Sequence, residues 1–145
     1  MARVALLDVN VLVALFDPDH VHHEPAHAWF AIDREAGWAT CPMTENGLVG
    51  ILSKTAYTGT HATSDAIRSR LGTFCGSGDH VFWPDELSIR DERFRLSRVT
   101  HRQLTDVYLL ALAAARAGRL ATFDRSIHVG AVVEADEDSL AVIPA

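Results

Sequence analysis

The sequence predicts an α/β fold in which helices cover both faces of a parallel sheet. Short apolar segments of strand length alternate along the chain with longer segments that carry the 3.6-residue periodicity of helices. Parallel strands need long crossover connections, usually helices, and this alternation is the pattern that such βαβ units produce. Strands buried on both faces are nearly continuous apolar runs, and the segments at 3–7 and 119–123 have this character after their first arginine.

The elements of the first half are bounded mainly by proline and glycine. Pro25 is expected at the first position of a helix that Gly37 closes, because proline is pre-organised for a helix start and glycine tolerates the backbone just past a helix end. The glycine-rich turn at 76–78 ends a later helix. The first half is therefore expected to contain strands at 3–7 and 38–41 and helices at 9–16, 25–36, 44–57 and 63–74.

The second half contains the helix with the clearest periodicity. Leu104, Val107, Tyr108 and Ala111 follow the i, i+3, i+4, i+7 spacing, and Gly118 is expected to cap this helix. The remaining predicted elements are strands at 80–83, 119–123 and 140–143, an irregular or partly helical segment at 85–102 and the helix itself at 104–117.

Length and composition favour one globular domain spanning residues 1–145. The chain has 48% hydrophobic and 22% charged residues, and it shows no repeat or linker that would divide it. Asp8 and Asn10 interrupt the apolar start of the chain before a signal-peptide core could form. With Cys41 and Cys75 as its two cysteines, a disulfide framework is not expected, so the cytoplasm is the expected compartment and no membrane association is expected.

The charge balance leaves the question of a nucleic-acid partner open. A net charge of −6 disfavours phosphate binding, but Lys54 is the single lysine, so the cations are almost all arginines, which bind phosphate bidentately. Arg98 and Arg102 lead directly to a candidate acid and are the proposed RNA contacts; a solvated face is an equally weighted alternative. They belong to a cluster that also contains Arg90, Arg93 and Arg95.

Four acidic residues are expected to meet at the carboxyl edge of the sheet. Asp8 follows the first strand, Glu45 begins the helix after the second, Asp106 lies in the first turn of the long helix, and Asp124 follows the fourth strand. In βαβ units the strand ends and the starts of the following helices share one edge. That edge is where open α/β sheets bind ligands.

The same acids have a structural alternative, because a carboxylate in a first helical turn offsets the helix dipole. That alternative carries most weight for Glu45 and Asp106. Asp8 and Asp124 instead adjoin apolar strands near the sheet centre, where an unpaired carboxylate would be costly. Like charges gathered there need a cation, and oxygen ligands without cysteine or histidine suit Mg²⁺ or Mn²⁺.

The acids and their neighbours resemble the four acidic motifs of PIN domains, and their order and spacing are closest to those of VapC-type toxins. The resemblance extends from Val4 to Ile143. No single motif is specific, but four in this order on an α/β pattern are. The matching segments are LLDVNVL at 6–12, TE at 44–45, LTDVYL at 104–109 and ATFDR at 121–125.

The resemblance implies a three-layer α/β/α sandwich whose five parallel strands have the order 3-2-1-4-5. It also implies an endoribonuclease that uses one or two Mg²⁺ or Mn²⁺ ions, forms a homodimer and is inhibited by a cognate antitoxin. Carried over residue by residue, the catalytic and metal-binding acids are Asp8, Glu45, Asp106 and Asp124, and the supporting polar residues are Asn10, Thr105 and Thr122.

Within that set we expect Asp8 to anchor the main ion, with Asp106 and Asp124 beside it. Glu45 would orient the attacking water or hold a second ion. Two ions that clamp the attacking and leaving oxygens can hydrolyse a phosphodiester without a histidine base.

Two other functions are compatible with parts of the sequence. His23-Glu24-Pro25-Ala26-His27 matches the HExxH pattern of zinc proteases, but Pro25 at a helix start is expected to leave His23 outside the helix. A degenerate domain that binds RNA or protein without cleavage is the other alternative, and the intact acids disfavour it. A receiver-like phosphoryl-transfer domain would need a lysine after a late strand, whereas Lys54 lies early.

Overall fold

A computed structural model describes residues 3–54 and 62–145, and within them the sheet has five parallel strands in the order β3-β2-β1-β4-β5. This confirms the fold class and the strand order expected from the resemblance. Leu7 pairs with Ala121 of the neighbouring strand, so the two central strands end side by side. The strands are β1 (Ala5–Leu7), β2 (Trp38–Thr40), β3 (His80–Phe82), β4 (Arg119–Thr122) and β5 (Leu140–Val142).

Helices cover both faces of this sheet. Successive side chains of a strand point to opposite faces, so Leu7 packs into one core and Leu6 into the other. The first core lies under α1 to α4, and the second under α5, whose residues 107–113 are all buried. The helices described are α1 (Val9–Phe16), α2 (His23–Asp33), α3 (Pro42–Leu52), α4 (Ser64–Cys75) and α5 (Leu104–Ala115).

Two predicted helix starts are wrong by two residues each. Helix α2 begins at His23, so Pro25 is its third residue and not its first. The first turn of a helix has no intrahelical partner for its N–H groups, and proline is therefore tolerated there without loss of a bond. Helix α3 begins at Pro42, where Cys41 and Thr44 form a capping box. It ends at Leu52, so its predicted continuation through 53–54 is wrong, and the rest of the prediction, at 55–57, lies outside the described residues.

The end of α5 differs from the expectation in a different way. Ala117, with a φ of 54°, is the residue in the left-handed conformation, and Gly118 follows it. A Cβ atom on Gly118 would lie 2.6 Å from the backbone oxygen of Val4 and 2.6 Å from the Trp83 ring. Glycine is needed at 118 because β4 begins against β1 and Trp83 there, and not because of its φ.

The segment between β3 and α5, all of which the structure describes, is irregular, which is one of the two predicted alternatives, and contains no helix. It is tied to the rest of the chain by an isolated antiparallel bridge between Phe94 and Val132. Phe94 is buried beside Tyr108 of α5, with their ring centroids 6.4 Å apart. The bridge and this contact hold the arginine-rich part of the segment close to α5. In the part of the chain described, no helix is long and apolar enough to cross a membrane.

Candidate active site

Asp8 is the most buried acid at the carboxyl edge of the sheet. It links β1 directly to α1, and its side chain is 5% exposed. One oxygen, Oδ1, accepts a hydrogen bond of 2.8 Å from the backbone N–H of Val9, which makes Asp8 the N-cap of α1. The other oxygen, Oδ2, accepts a bond of 2.8 Å from the hydroxyl of Thr122. Capping therefore explains one oxygen only, and the second faces β4.

Thr122 connects two of the predicted acids. It is the last residue of β4, and its hydroxyl oxygen also accepts the backbone N–H of Asp124 at 3.1 Å. The Oδ1 atom of Asp124 accepts hydrogen bonds from the backbone N–H of Ser126 at 2.8 Å and from its hydroxyl at 2.6 Å. A single buried threonine thus orients the carboxylate of Asp8 and the backbone that carries Asp124.

Asp106 completes an electrostatically coupled group of three. It is the third residue of α5 and is half-buried. Its pKa is raised to about 6, mainly by burial and in addition by the charges of Asp8 and Asp124. Burial also raises the pKa of Asp8; the hydrogen bonds from Thr122 and Val9 oppose this, and the charge of Asp124 adds to it. The charged forms of Asp8 and Asp106 are therefore disfavoured by burial and by neighbouring charges, which a bound cation would relieve.

The chemistry of these three acids suits a hydrated hard ion. Among the described residues, one set of three potential ligands has its ligand atoms within 4.8 Å of one another, and that set does not include these aspartates. The oxygens of Asp8, Asp106 and Asp124 are therefore more widely spaced. Mg²⁺ dehydrates reluctantly and is usually held through one or two carboxylates while it keeps several waters. Oxygen donors, mutual repulsion and room for water therefore fit Mg²⁺ or a similar ion at Asp8, Asp106 and Asp124.

Glu45 lies at the same edge but in different surroundings. Its Oε2 atom accepts a hydrogen bond of 2.6 Å from the hydroxyl of Thr40, which in turn lies 2.8 Å from Nε2 of His80. Ligand atoms of Glu45, Cys75 and His80 all lie within 4.8 Å of one another. We expected Glu45 to join a cluster without cysteine or histidine, whereas its neighbours include both. No spacing in the sequence indicates this grouping, because the three residues lie on α3, α4 and β3.

The other predicted supporting residues are less engaged. Asn10 and Thr105 are exposed in the first turns of α1 and α5. Within the ranges that the structure describes, neither side chain is hydrogen-bonded to Asp8, Asp106 or Asp124. Their assignment stays a prediction.

A cavity of about 240 Å³ opens beside the three acids. Asp106 and Asp124 line it together with Arg95 and Arg98. Its walls also include apolar side chains, among them Val99, Val107 and Ile127. Acidic, cationic and apolar side chains are thus combined in one cavity.

The arginines of the cluster have different surroundings in the structure. Arg98 lines the cavity, and Arg102 is exposed and is not among its lining residues. Arg93 lies 3.3 Å from Glu134 and 3.6 Å from Asp91, so its guanidinium is paired with acids of the same chain. Sequence reasoning singled out Arg98 and missed Arg95, which only the folded path of the irregular segment brings to the cavity.

The histidines of the HExxH segment have a structural role. Both lie in α2, with ring centroids 4.4 Å apart, so the expectation that His23 would stay outside the helix is wrong. His23 Nδ1 donates to the carbonyl of Ala14 at 2.7 Å, and His27 Nε2 donates to that of Leu15 at 2.8 Å. These carbonyls belong to the last turn of α1, where intrahelical donors are missing. Among the described residues no third potential ligand joins the pair.

Comparison with known proteins places these features in a family context. The sequence matches the PIN domain family over residues 5–132. Ribonuclease VapC44 of Mycobacterium tuberculosis is 45% identical over 143 residues, which cover 96% of this chain and 99% of that relative.

Two further relatives come from the same organism. Ribonuclease VapC39 is 42% identical over 125 residues, covering 85% of this chain and 90% of the relative. Ribonuclease VapC38 is 40% identical over 124 residues, covering 86% and 87%. Asp8, Glu45, Asp106 and Asp124 all lie within the family match.

Proposed function

This chain belongs to the PIN-domain family, and we propose that it is a divalent-metal-dependent endoribonuclease that acts as the toxin of a toxin–antitoxin pair. The names of its relatives support ribonuclease activity. The observation that carries the proposal is the coupled set of Asp8, Asp106 and Asp124 beside a cavity that also contains Arg98.

We assign the binding of a Mg²⁺ or Mn²⁺ ion to the carboxylates of Asp8, Asp106 and Asp124. When bound, such an ion would supply Lewis acidity and charge neutralisation for the hydrolysis of a phosphodiester. Thr122 holds Asp8 in place by donating to its Oδ2, so that this carboxylate does not have to reorganise during the reaction. Glu45 remains the candidate for orienting water or for a second ion, with Thr40 fixing its carboxylate.

The cavity supplies the substrate contacts. Arg98 and Arg95, which line the same cavity as Asp106 and Asp124, would bind phosphate oxygens of the RNA. Val99 and Ile127 give the cavity an apolar wall against which a base or ribose can pack. This arrangement compensates locally for the net charge of −6, because cations near the reacting phosphate matter more than the overall balance.

The test is a cleavage assay on a structured RNA with purified protein. We expect cleavage with Mg²⁺ or Mn²⁺, none in EDTA, and none with Asp8→Asn or Asp124→Asn. Asp65→Asn is the matched control, because it makes the same change of charge at an exposed residue that pairs with Arg68. Full cleavage in EDTA would contradict the metal mechanism, and RNA binding without cleavage would identify a degenerate domain.

We also propose that the protein forms a homodimer and is inhibited by a cognate antitoxin. We propose the cytoplasm as its location, because RNA and such a partner are found there. Val21, just before α2, and Ile32, near its end, are large apolar side chains that are 82% and 80% exposed, and both are candidates for contact with a protein partner. Light scattering after gel filtration should give twice the mass of the chain. A monomer at all concentrations would remove the dimer from the proposal and leave the nuclease assignment intact.

A further inference from the structure

The group of Glu45, Cys75 and His80 has the composition of a transition-metal site. One ligand atom from each residue lies within 4.8 Å of the other two. A thiolate, an imidazole and a carboxylate are the donors that bind Zn²⁺ and Co²⁺, whereas Mg²⁺ prefers oxygen alone. Three protein ligands with one open position is the arrangement of an accessible zinc site and not of a closed structural one.

Two of these ligands are held on either side of a fixed turn. Cys75 ends α4, and His80 begins β3. The Trp38 indole N–H donates to the carbonyl of Gly78 at 3.0 Å, and Arg34 donates to the same carbonyl at 3.1 Å. Gly78 has a φ of 111°, which glycine adopts without strain. The distance between the thiol and the imidazole is therefore set by the fold.

The third ligand is brought to the turn by Thr40. Its hydroxyl donates to Glu45 Oε2 at 2.6 Å, so it must accept the proton of His80 Nε2 at 2.8 Å. The His80 ring also packs on Trp38, with centroids 4.6 Å apart. An ion bound to Nε2 would replace this hydrogen bond and would require the other tautomer of His80, with its proton on Nδ1.

Charge balance favours occupancy by a divalent ion. All three residues are partly buried, which leaves the group accessible while limiting its hydration. A divalent ion with one carboxylate, one thiolate and one neutral imidazole has no net charge, so its burial carries no uncompensated charge. The Cys75 thiol would release its proton to solvent as the sulfur–metal bond forms.

We propose that Glu45, Cys75 and His80 bind one thiophilic divalent ion of the Zn²⁺ type, separately from the ion held by Asp8, Asp106 and Asp124. A consequence, which rests on the proposed function, is inhibition. When Glu45 binds Zn²⁺, its carboxylate can no longer orient water or hold a second ion at the nuclease site. Zn²⁺ therefore suppresses cleavage even when Mg²⁺ is saturating.

Binding is tested first, without reference to activity. Metal-stripped protein is titrated with Co²⁺ and followed by the thiolate-to-cobalt charge-transfer absorption, and Zn²⁺ is counted by equilibrium dialysis. With excess Mg²⁺ present to fill the acidic site, we expect one Co²⁺ or Zn²⁺ ion per chain. The absorption should be lost in Cys75→Ser, and the affinity should be more than about tenfold weaker in His80→Gln, since even partners outside a ligand set change affinity that much.

Matched controls locate the ion. Cys41→Ser changes the other cysteine, which is buried, and it should keep the absorption band. Asp106→Asn should also keep it, and excess Mg²⁺ should not displace the cobalt. A band that survives in Cys75→Ser, or one that is lost in Cys41→Ser or Asp106→Asn with the fold intact by circular dichroism, would overturn the proposed site.

Inhibition is tested second, with Cys75→Ser, whose side chain has no part in the proposed nuclease chemistry. Stoichiometric Zn²⁺ should abolish cleavage by the parent protein and leave Cys75→Ser active. Equal inhibition of both would refute the regulatory consequence while leaving the binding result standing. If no preparation cleaves RNA, the nuclease proposal fails, and the cobalt titration still decides the metal site.

Discussion

Replacing Asp106 by asparagine is predicted to stabilise the metal-free protein at neutral pH while abolishing its activity. The folded-state pKa of Asp106 is raised from 3.8 to about 6, first by burial and then by the charges of Asp8 and Asp124. As the pH rises from 3.8 to about 6, the unfolded chain loses this proton before the folded one does. Stability is therefore lost across that interval and stays lower above it. Asparagine has no proton to lose, so the variant escapes this loss.

The size of the effect follows from the same values. A change from 3.8 to about 6 corresponds to roughly 3 kcal/mol, at about 1.36 kcal/mol for each pH unit. Asp106 is only half-buried, so solvent screening reduces this by about half. Its carboxylate also lies in the first turn of α5, where losing the charge costs about 0.3–1 kcal/mol. We expect a net gain of about 1 kcal/mol in the free energy of unfolding near neutral pH.

Urea denaturation of metal-stripped parent and variant measures this directly. The difference should be present near neutral pH and should shrink as the pH falls below 3.8, where the unfolded chain also takes up the proton. Adding Mg²⁺ should stabilise the parent by mass action and the variant much less. If Asp106→Asn is less stable than the parent at neutral pH, and if Mg²⁺ stabilises both equally, Asp106 is a structural capping residue and the metal assignment fails.

Three further predictions concern the surroundings of the acids. Thr122→Val should lower the free energy of unfolding by about 1.5–3 kcal/mol in urea, because it leaves the buried Oδ2 of an aspartate without its donor; an unchanged value would mean that water replaces the hydroxyl. Arg98→Ala should reduce the salt dependence of RNA binding by about one unit in a logarithmic plot, and Arg102→Ala by less; equal reductions would return both to a general electrostatic role. Gly118→Ala should cost about 1–3 kcal/mol through the clash at 2.6 Å, whereas Gly72→Ala, a helical position with open space, should gain up to about 1 kcal/mol; similar thermal shifts for both would refute the steric argument.

The arrangement of Asp8, Asp106 and Asp124 was predictable because topology alone brings them together. Parallel strands separated by helices end at one edge, and the apolar character of the segments that became β1 and β4 indicates central positions in the sheet. Asp8 and Asp124 follow those strands directly. Asp106 needs only the start of α5 to be right, and the periodicity of that helix located it correctly.

Features that depend on side-chain packing were not predictable in the same way. Pro25 is compatible with any of the first helical positions, so it could not fix where α2 begins. The irregular segment has no periodicity, so nothing in it distinguishes Arg98, which lines the cavity, from Arg102, which does not. At the end of α5 the glycine signal was real, but its cause is the close approach of Val4.

The two halves of the carboxyl edge show why the chemistry of Glu45 could not be deduced from its place in the sheet. A threonine ends each strand that flanks β1, and each hydroxyl donates to an acid: Thr122 to Asp8 and Thr40 to Glu45. The local arrangement is therefore the same on both sides. The difference lies in what else each threonine contacts, which is the backbone N–H of Asp124 on one side and the imidazole of His80 on the other. The first contact adds another carboxylate to the site and so favours a hard ion, whereas the second adds a nitrogen ligand and, through the turn after α4, a thiol. Neighbours that are distant in sequence thus give two similar acid positions different metal preferences, and a Mg²⁺ titration followed by a Co²⁺ titration on one sample should fill them independently.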